Sequence, residues 1–151
     1  MNKEIKSYNL KVINLETRDI SQCELVTERG LHLVNGNIIW KAILKLKNEE
    51  MIVEGEYFLS SAINKIREVI EPNGYRILVK CSDIDAAHSG MQADMSAGTK
   101  IYKLKLLDNT SSKQNRKDAQ FHVLDDSEED SVGSLQEQKE FKKSFYENKK
   151  S

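Results

Sequence analysis

The sequence is poor in the residues and motifs that build metal, nucleotide and catalytic sites. Its 151 residues include two cysteines, three histidines, one proline and one tryptophan. It has no Cys-x-x-Cys pair and no Cys/His set at zinc-finger spacing. It also has no P-loop, no Gly-x-Gly-x-x-Gly and no Gly-x-Ser-x-Gly. We therefore expect no cofactor, and an enzyme is the less favoured class.

Long apolar runs are missing as well. None approaches the roughly 18 residues that indicate a membrane span, and the charged start is not followed by the apolar region of a secretory signal. These absences predict a cytoplasmic protein that does not contact membranes. Cys23 and Cys81 both lie in apolar, strand-like surroundings, so we expect buried free thiols rather than a disulfide.

An excess of charge of one sign is also absent. The chain has 23 Lys and Arg against 24 Asp and Glu, a formal net charge of −1. This balance argues against strong attraction to nucleic acid. With 38% hydrophobic residues in 151, the chain has the size of one domain with a modest core.

Strand patterns dominate the first half of the sequence. Short β-leaning runs occur at 8–15 and 22–27. The Asn35-Gly36 pair predicts a tight type I′ hairpin between 31–34 and 37–47. In the second arm, apolar residues alternate with lysines, which is the period of a half-buried strand. The strand 51–59 returns with glutamates on its outer side, and Gly55 predicts a bulge.

One helix and two further strands follow. Ser60-Ser61 predicts an N-cap, and apolar residues follow at helical spacing, with Lys65, Arg67 and Glu68 pointing outward. The segment 71–74, Glu-Pro-Asn-Gly, predicts the end of the helix. Alternation predicts strands at 75–81 and 101–107. We expect an α+β domain over residues 1–107, with a mainly antiparallel sheet and one packing helix.

The remainder of the chain is more polar. Residues 108–133 are predicted to form a polar linker, with a short apolar clip at 121–124 that docks on the domain and an acidic, solvated run at 125–130. Ser134-x-x-Glu137 has the form of a capping box and predicts an amphipathic C-terminal helix over 134–148. Phe141 and Phe145 on this helix are expected to dock on another surface.

The segment 81–100 has no strand or helix periodicity, and this loop is the first candidate for a functional site. Asp83, Asp85, His88 and Asp94 have the ligand chemistry of a divalent metal site, although their spacing fits no known metal motif. The alternative is a structured connector that uses Asp and Ser for turns and presents its acids to a partner. We favour the connector, with no metal.

The C-terminal half also resembles a group of small bacterial proteins. They have a Gly-Met-x-x-Asp-Met-x-x-Gly loop between two strands and a closing Phe-rich helix. The matching stretches are Gly74-Tyr-Arg-Ile-Leu78, Ser89-Gly-Met-Gln-Ala-Asp-Met-Ser-Ala-Gly98, Tyr102, Phe121–Leu124 and Glu137-Gln138 with Phe141. The resemblance covers residues 74–148. Proteins of this kind occur beside toxin genes as immunity proteins, and the resemblance supplies no catalytic residues.

Together these observations favour a non-enzymatic bacterial protein-binding module that neutralises a toxin. We expect its partner to be a protein, such as a basic toxin domain, because complementary charge speeds association. The expected partner-binding residues are Asp83, Asp85, His88, Asp94, Phe141 and Phe145. Two alternatives stay open: a small metal-dependent hydrolase or nuclease using the 83–95 loop, and a homodimer formed through the C-terminal helix.

Overall fold

The computed structural model describes residues 3–87, 97–104 and 120–149. Each helix or strand falls in one of these ranges. They are, in chain order, β1 (Glu4–Asn14), β2 (Ile20–Leu31), β3 (Ile38–Leu46), β4 (Glu49–Glu56), α1 (Leu59–Ile70), β5 (Tyr75–Ile77), β6 (Ala86–Ala87), β7 (Lys100–Lys103), β8 (Gln120–His122) and α2 (Leu135–Lys149).

The fold is α+β, as predicted, with a curled antiparallel sheet of five strands in the order β4-β3-β2-β1-β5. A second sheet has three strands in the order β6-β7-β8. The first four strands form a meander, because each pairs antiparallel with its neighbour in sequence. Its two faces differ, which is usual for antiparallel sheets.

The inner face of the large sheet is apolar because of the predicted alternation. Trp40, Ala42, Leu44 and Leu46 of β3 are all buried. The apolar face of α1 packs on this layer through Leu59, Ala62, Ile63, Ile66 and Ile70. A 12-residue helix is marginal on its own, and each buried aliphatic side chain contributes about 1.5–3 kcal/mol. Packing on the sheet therefore decides that α1 forms.

Residues 120–124 belong to the same core, since Val123 and Leu124 are buried in the cluster that contains α1. The predicted docking of the apolar clip is confirmed. Residues 125–133 differ from the predicted linker. Asp126 forms a β-bridge with Val79, and Val132 forms one with Asp83. Backbone pairing makes this stretch a part of the fold.

Two of the predicted turns differ in the structure. β2 ends at Leu31, and residues 32–37 form a longer connection closed by a bond from the His32 amide to the Asn37 carbonyl (2.8 Å). Gly36 has a positive φ of 71°, but Asn35 does not, so the predicted two-residue type I′ turn is wrong. The predicted strand 75–81 is also shorter, because a 3-10 turn occupies Lys80–Ser82.

Other local predictions are confirmed. Gly55 has φ 81°, and the β3–β4 register shifts between Trp40 and Lys41, as expected for a bulge. The Ser134–Glu137 capping box forms in both directions, at 3.1 and 3.0 Å. Both cysteines are free and buried, and burial raises the pKa of each thiol to about 11. None of the described helices combines the length and apolar character needed to cross a bilayer.

Candidate functional site

The predicted N-cap of α1 shows what the exit of the 81–100 loop does. The helix begins at Leu59 after Phe58, and no side chain caps it. Instead, the Leu59 amide donates to the Ala97 carbonyl (3.0 Å) and the Ser60 amide donates to the Gly98 carbonyl (3.1 Å). The predicted Ser60-Ser61 cap is therefore wrong, because two loop carbonyls accept from the first free amides of the helix.

Gly98 makes this approach possible. Its φ is 76°, and a Cβ there would lie 2.5 Å from the Phe58 Cβ and 2.9 Å from the Leu59 nitrogen. The Ala97 carbonyl also accepts a hydrogen bond from the Trp40 indole (3.0 Å). The last glycine of the Gly-Met-x-x-Asp-Met-x-x-Gly pattern thus has a packing role in the described structure.

The six predicted site residues lie in different environments. Asp83 is completely buried and accepts a hydrogen bond from the Ser127 hydroxyl. Asp85 is half-buried, and its carbonyl accepts from the Leu104 amide at 2.7 Å. His88 and Asp94 lie outside the described residues. Asp83 therefore has no surface to offer a partner in this fold.

The two phenylalanines of α2 pack inside the chain. Phe145 is buried with Ala87, Tyr102 and Leu104, and Phe141 is half-buried against the same cluster. The predicted docking surface for this helix is therefore its own domain. In residues 3–87, 97–104 and 120–149, no three His, Cys, Asp or Glu side chains are grouped to hold a metal. The metal site of the alternative reading includes His88 and Asp94, so it stays a prediction.

Arg67 is the largest departure from the sequence prediction. It was expected to point outward, but its side chain is completely buried. The guanidinium forms an ion pair with Glu71 at 2.8 Å and donates to the Gln138 side chain at 2.7 Å. It also donates to the carbonyls of Gly133 (2.9 Å) and Cys81 (3.3 Å). One side chain of α1 therefore holds the chain that leads into α2.

Gln138 of α2 completes this polar cluster. Its amide group donates to the carbonyls of Cys81 (2.9 Å) and Asp83 (2.6 Å). Buried charges are tolerated when their hydrogen-bonding capacity is satisfied, as it is here. The helical spacing of Ile63, Ile66 and Ile70 places position 67 on the buried face, and this signal was outweighed by the charge of arginine. Val69, expected to face inward, is 54% exposed.

The outer face of the large sheet is the main exposed surface of the fold. Its side chains form three rows across β2, β3 and β4, and the pairing register defines them. They are Glu24–Lys45–Glu50, Val26–Ile43–Ile52 and Glu28–Lys41–Glu54. We call this surface the outer face. An apolar row thus lies between two rows in which charge alternates from strand to strand.

The charged rows are paired as the sequence predicted. The Lys41 ammonium lies 3.6 Å from a Glu28 oxygen and 3.9 Å from a Glu54 oxygen. The Lys45 ammonium lies 3.4 Å from a Glu24 oxygen. Exposed pairs of this kind contribute roughly 0–1 kcal/mol each. Their value is therefore in setting register and selecting neighbours more than in stability.

A cavity of about 380 Å³ opens at the end of the outer face. Gly30 lies directly opposite Ile39, and Gly55 lies in the bulge on the other side of β3. Neither glycine has a side chain, so the space above Ile39 is left open. The charged residues Glu28, Lys41 and Glu54 line its rim, together with Lys3.

The hairpin tip, residues 31–37, adjoins this cavity and is unusually apolar. Leu31, which lines the cavity, is 60% exposed, and Leu33 and Val34 are 81% and 89% exposed. Single exposed aliphatic residues are ordinary, but three in one turn beside a cavity indicate an interaction surface. Sequence reasoning missed this surface because it assigned residues 31–34 to a strand.

A second cavity of about 170 Å³ lies at the inner end of the sheet, beside Tyr8 and His122. His122 stacks on Tyr8 at 6.1 Å, and burial lowers the pKa of its imidazole. The cations near this cavity are already engaged, since Lys6 pairs with Glu4 at 3.1 Å and Arg29 lies over the Trp40 ring at 5.6 Å. The hairpin tip with its cavity is therefore the stronger candidate site.

Neither route to a name identifies a relative for this chain. No known protein-family model matches it, and no curated protein is significantly similar to it. The site must therefore be interpreted from its own geometry, which consists of exposed aliphatic side chains, a neighbouring cavity and a charged rim.

Proposed function

We propose that this protein is a protein-binding module that neutralises a toxin by binding it through the hairpin tip. The observation that carries the proposal is the exposure of Leu31, Leu33 and Val34 beside the cavity above Ile39. Protein interfaces are centred on apolar anchors in well-packed pockets and are rimmed by polar groups. The tip and the cavity together have this arrangement.

The cavity suits a side chain of a partner better than a catalytic reaction. Its lining combines Ile39, Trp40 and two glycines with one lysine–glutamate cluster on the rim. At about 380 Å³ it is at the small end of ligand sites. An aromatic or branched side chain of the partner would fill it and exclude water from the rim charges.

A basic partner is supported by a second exposed surface. The acidic turn, residues 125–130, has five acids, and Asp125, Asp126, Glu128, Glu129 and Asp130 are all exposed. Ser127 is buried beneath them, and its amide donates to the Leu78 carbonyl at 3.0 Å. The turn is thus held by backbone bonds, and a preorganised negative surface raises the association rate of a basic protein.

The toxin-neutralising part of the proposal rests on the resemblance of residues 74–148 to immunity proteins. Such proteins act by occupying a surface of the toxin, so they need no catalytic group of their own. A bacterial host, a cytoplasmic location and a basic toxin domain as the partner belong to the same proposal. A partner that arrests growth when expressed alone would identify the toxin.

The decisive experiment compares the protein with two variants of the site. Leu33→Asp/Val34→Asp removes the apolar anchors, and Gly30→Val fills the cavity. A Cβ at Gly30 meets only the Lys3 Cγ, at 3.6 Å, so the fold accepts this change. Val69→Asp is the matched control, because Val69 is also exposed but lies on α1.

The tagged proteins are used to recover partners from the native host, and each recovered gene is expressed alone and with the module. We expect a basic protein that arrests growth, rescue by the wild type and by Val69→Asp, and loss of rescue with both site variants. Binding should weaken by about 30-fold or more, as for a central anchor. Rescue that is unaffected by both site variants would disprove binding through the tip.

A further inference from the structure

β4 is the last strand of the large sheet, and its outer edge is open in the part of the chain that the structure describes. An open edge presents unpaired backbone N–H and C=O groups that can accept another strand. Ile52 in the middle of β4 is 53% exposed, and Glu49, Glu50 and Glu54 are exposed as well. The edge is accessible over most of its length.

The rows of the outer face determine which strand would fit beside β4. Along the first charged row the order is Glu24, Lys45, Glu50, and along the second it is Glu28, Lys41, Glu54. Each charge therefore has the opposite charge on the neighbouring strand. Because directly opposite charges stabilise a strand pair and like charges destabilise it, the next position in each charged row requires Lys or Arg.

The middle row adds an apolar requirement. Val26, Ile43 and Ile52 lie side by side, so the next strand should place an aliphatic side chain beside Ile52. Residues on one face of a strand are two apart. The matching strand therefore has the pattern basic-x-aliphatic-x-basic, with the two intervening residues on the inner side near Met51 and Val53.

A second copy of this chain does not meet these requirements. If two β4 strands paired antiparallel about Ile52, Glu50 of each copy would lie opposite Glu54 of the other. Two like-charged pairs would face one another directly, which is a known means of preventing edge-to-edge association. The edge is therefore closed to itself and open to a strand of the opposite charge.

We infer that the open edge of β4 binds a basic strand of a partner protein, which adds to the sheet as a sixth strand. Backbone pairing would provide affinity, and the side chains opposite Glu50, Ile52 and Glu54 would provide specificity. The inference deepens the proposed function, since it names the chemistry of the partner. It uses a different surface from the hairpin tip.

The test uses the full chain and a short peptide with Lys-Thr-Val-Thr-Lys at its centre. Binding is followed by NMR shifts, and strand addition is followed by amide hydrogen exchange. We expect binding below about 1 mM, with shifts and slowed exchange centred on β4. A peptide with Glu in place of both Lys should bind roughly 10-fold or more weakly.

Charge reversal in the protein provides the specificity control. Glu50→Lys/Glu54→Lys should reverse the preference, so that the Glu peptide binds and the Lys peptide does not. Glu16→Lys/Glu147→Lys makes the same change in net charge at exposed positions outside β3 and β4, and it should leave the preference unchanged.

Two outcomes would overturn the inference. The Lys peptide could fail to bind at about 1 mM, in which case the glutamates only protect the edge. It could also bind without protection of the β4 amides or with equal loss in both variants, which would be nonspecific attraction. The peptide assay needs no toxin, and the rescue assay uses variants outside β4. Failure of one is therefore distinguishable from failure of the other.

Discussion

The two outer strands of the large sheet are completed in opposite ways. β5 has only three residues, and residues 120–133 and α2 continue from it as a covering layer. Arg67 and Gln138 hold that layer by donating to backbone carbonyls. β4 has eight residues, and its exposed acids leave it uncovered. Buried polar bonds close one side, whereas only charge protects the other.

This difference separates a structural use of charge from a selective one. At the β5 side, the Arg67 guanidinium is completely buried, so every one of its bonds affects stability. At the β4 side, exposed pairs contribute little stability but determine which strand can approach. Changes at the first side should therefore alter folding, and changes at the second should alter association.

The largest effect is expected for Arg67→Ala. It would leave the Glu71 carboxylate, the Gln138 side chain and the Gly133 carbonyl without their donor, at a cost of about 3–5 kcal/mol in the free energy of unfolding. Urea denaturation measures the change. Lys65→Ala on the same helix is the control, and it should cost less than about 1 kcal/mol. Equal effects of the two changes would show that the buried cluster does not hold the β5 side.

Gly98→Ala tests the covering layer at the other end of α1. The added Cβ would lie 2.5 Å from the Phe58 Cβ in a backbone with φ 76°. We expect a loss of about 2–4 kcal/mol, measured by thermal or urea unfolding. Gly36→Ala has a similar φ of 71° but meets no atom within 4 Å, so it isolates the backbone cost. If both variants lose the same stability, the close approach to Phe58 is unimportant.

The buried thiols give the next effect, which depends on pH. Burial raises the pKa of Cys23 and Cys81 from 9.0 to about 11. The unfolded chain then releases these protons first, so stability is complete below pH 9 and falls as the pH rises toward 11. The loss should be on the order of 2 kcal/mol for each thiol.

Unfolding curves at several alkaline pH values measure this loss. Cys23→Ala/Cys81→Ala should show a shallower fall than the wild type over the same range. A thiol reagent adds a local measurement, because Cys81 lies beneath Arg67 and Asn64. Arg67→Ala should make Cys81 react faster under native conditions. An unchanged rate would mean that the β5 side opens by another route.

The smallest effect on stability is expected at the open edge. Glu50→Val/Glu54→Val removes the charges that oppose self-pairing and should change the free energy of unfolding by less than about 1 kcal/mol. Light scattering should nevertheless show dimers or larger species, because the edge becomes apolar and uncharged. Glu16→Val/Glu147→Val serves as the control. A monomeric Glu50→Val/Glu54→Val protein would indicate that something other than charge protects β4.

The sequence by itself determined the local elements. Alternation defined β3 and its buried face, and the Pro72 region ended α1 as expected. Ser134 and Glu137 marked the start of α2. Each of these signals is contained within a few consecutive residues, since strand period, helix termination and capping are short-range properties. The α+β class followed from their order.

Only the tertiary structure decided which polar residues are buried and which edge is open. Arg67 is internal because the carbonyls of Cys81 and Gly133 and the side chain of Gln138 converge on it from distant parts of the chain. Asp83 is internal for a similar reason, whereas Leu33 and Val34 are exposed because the turn carries them beyond the sheet. Burial of a charge requires partners that only the folded chain assembles, so local pattern could not reveal it.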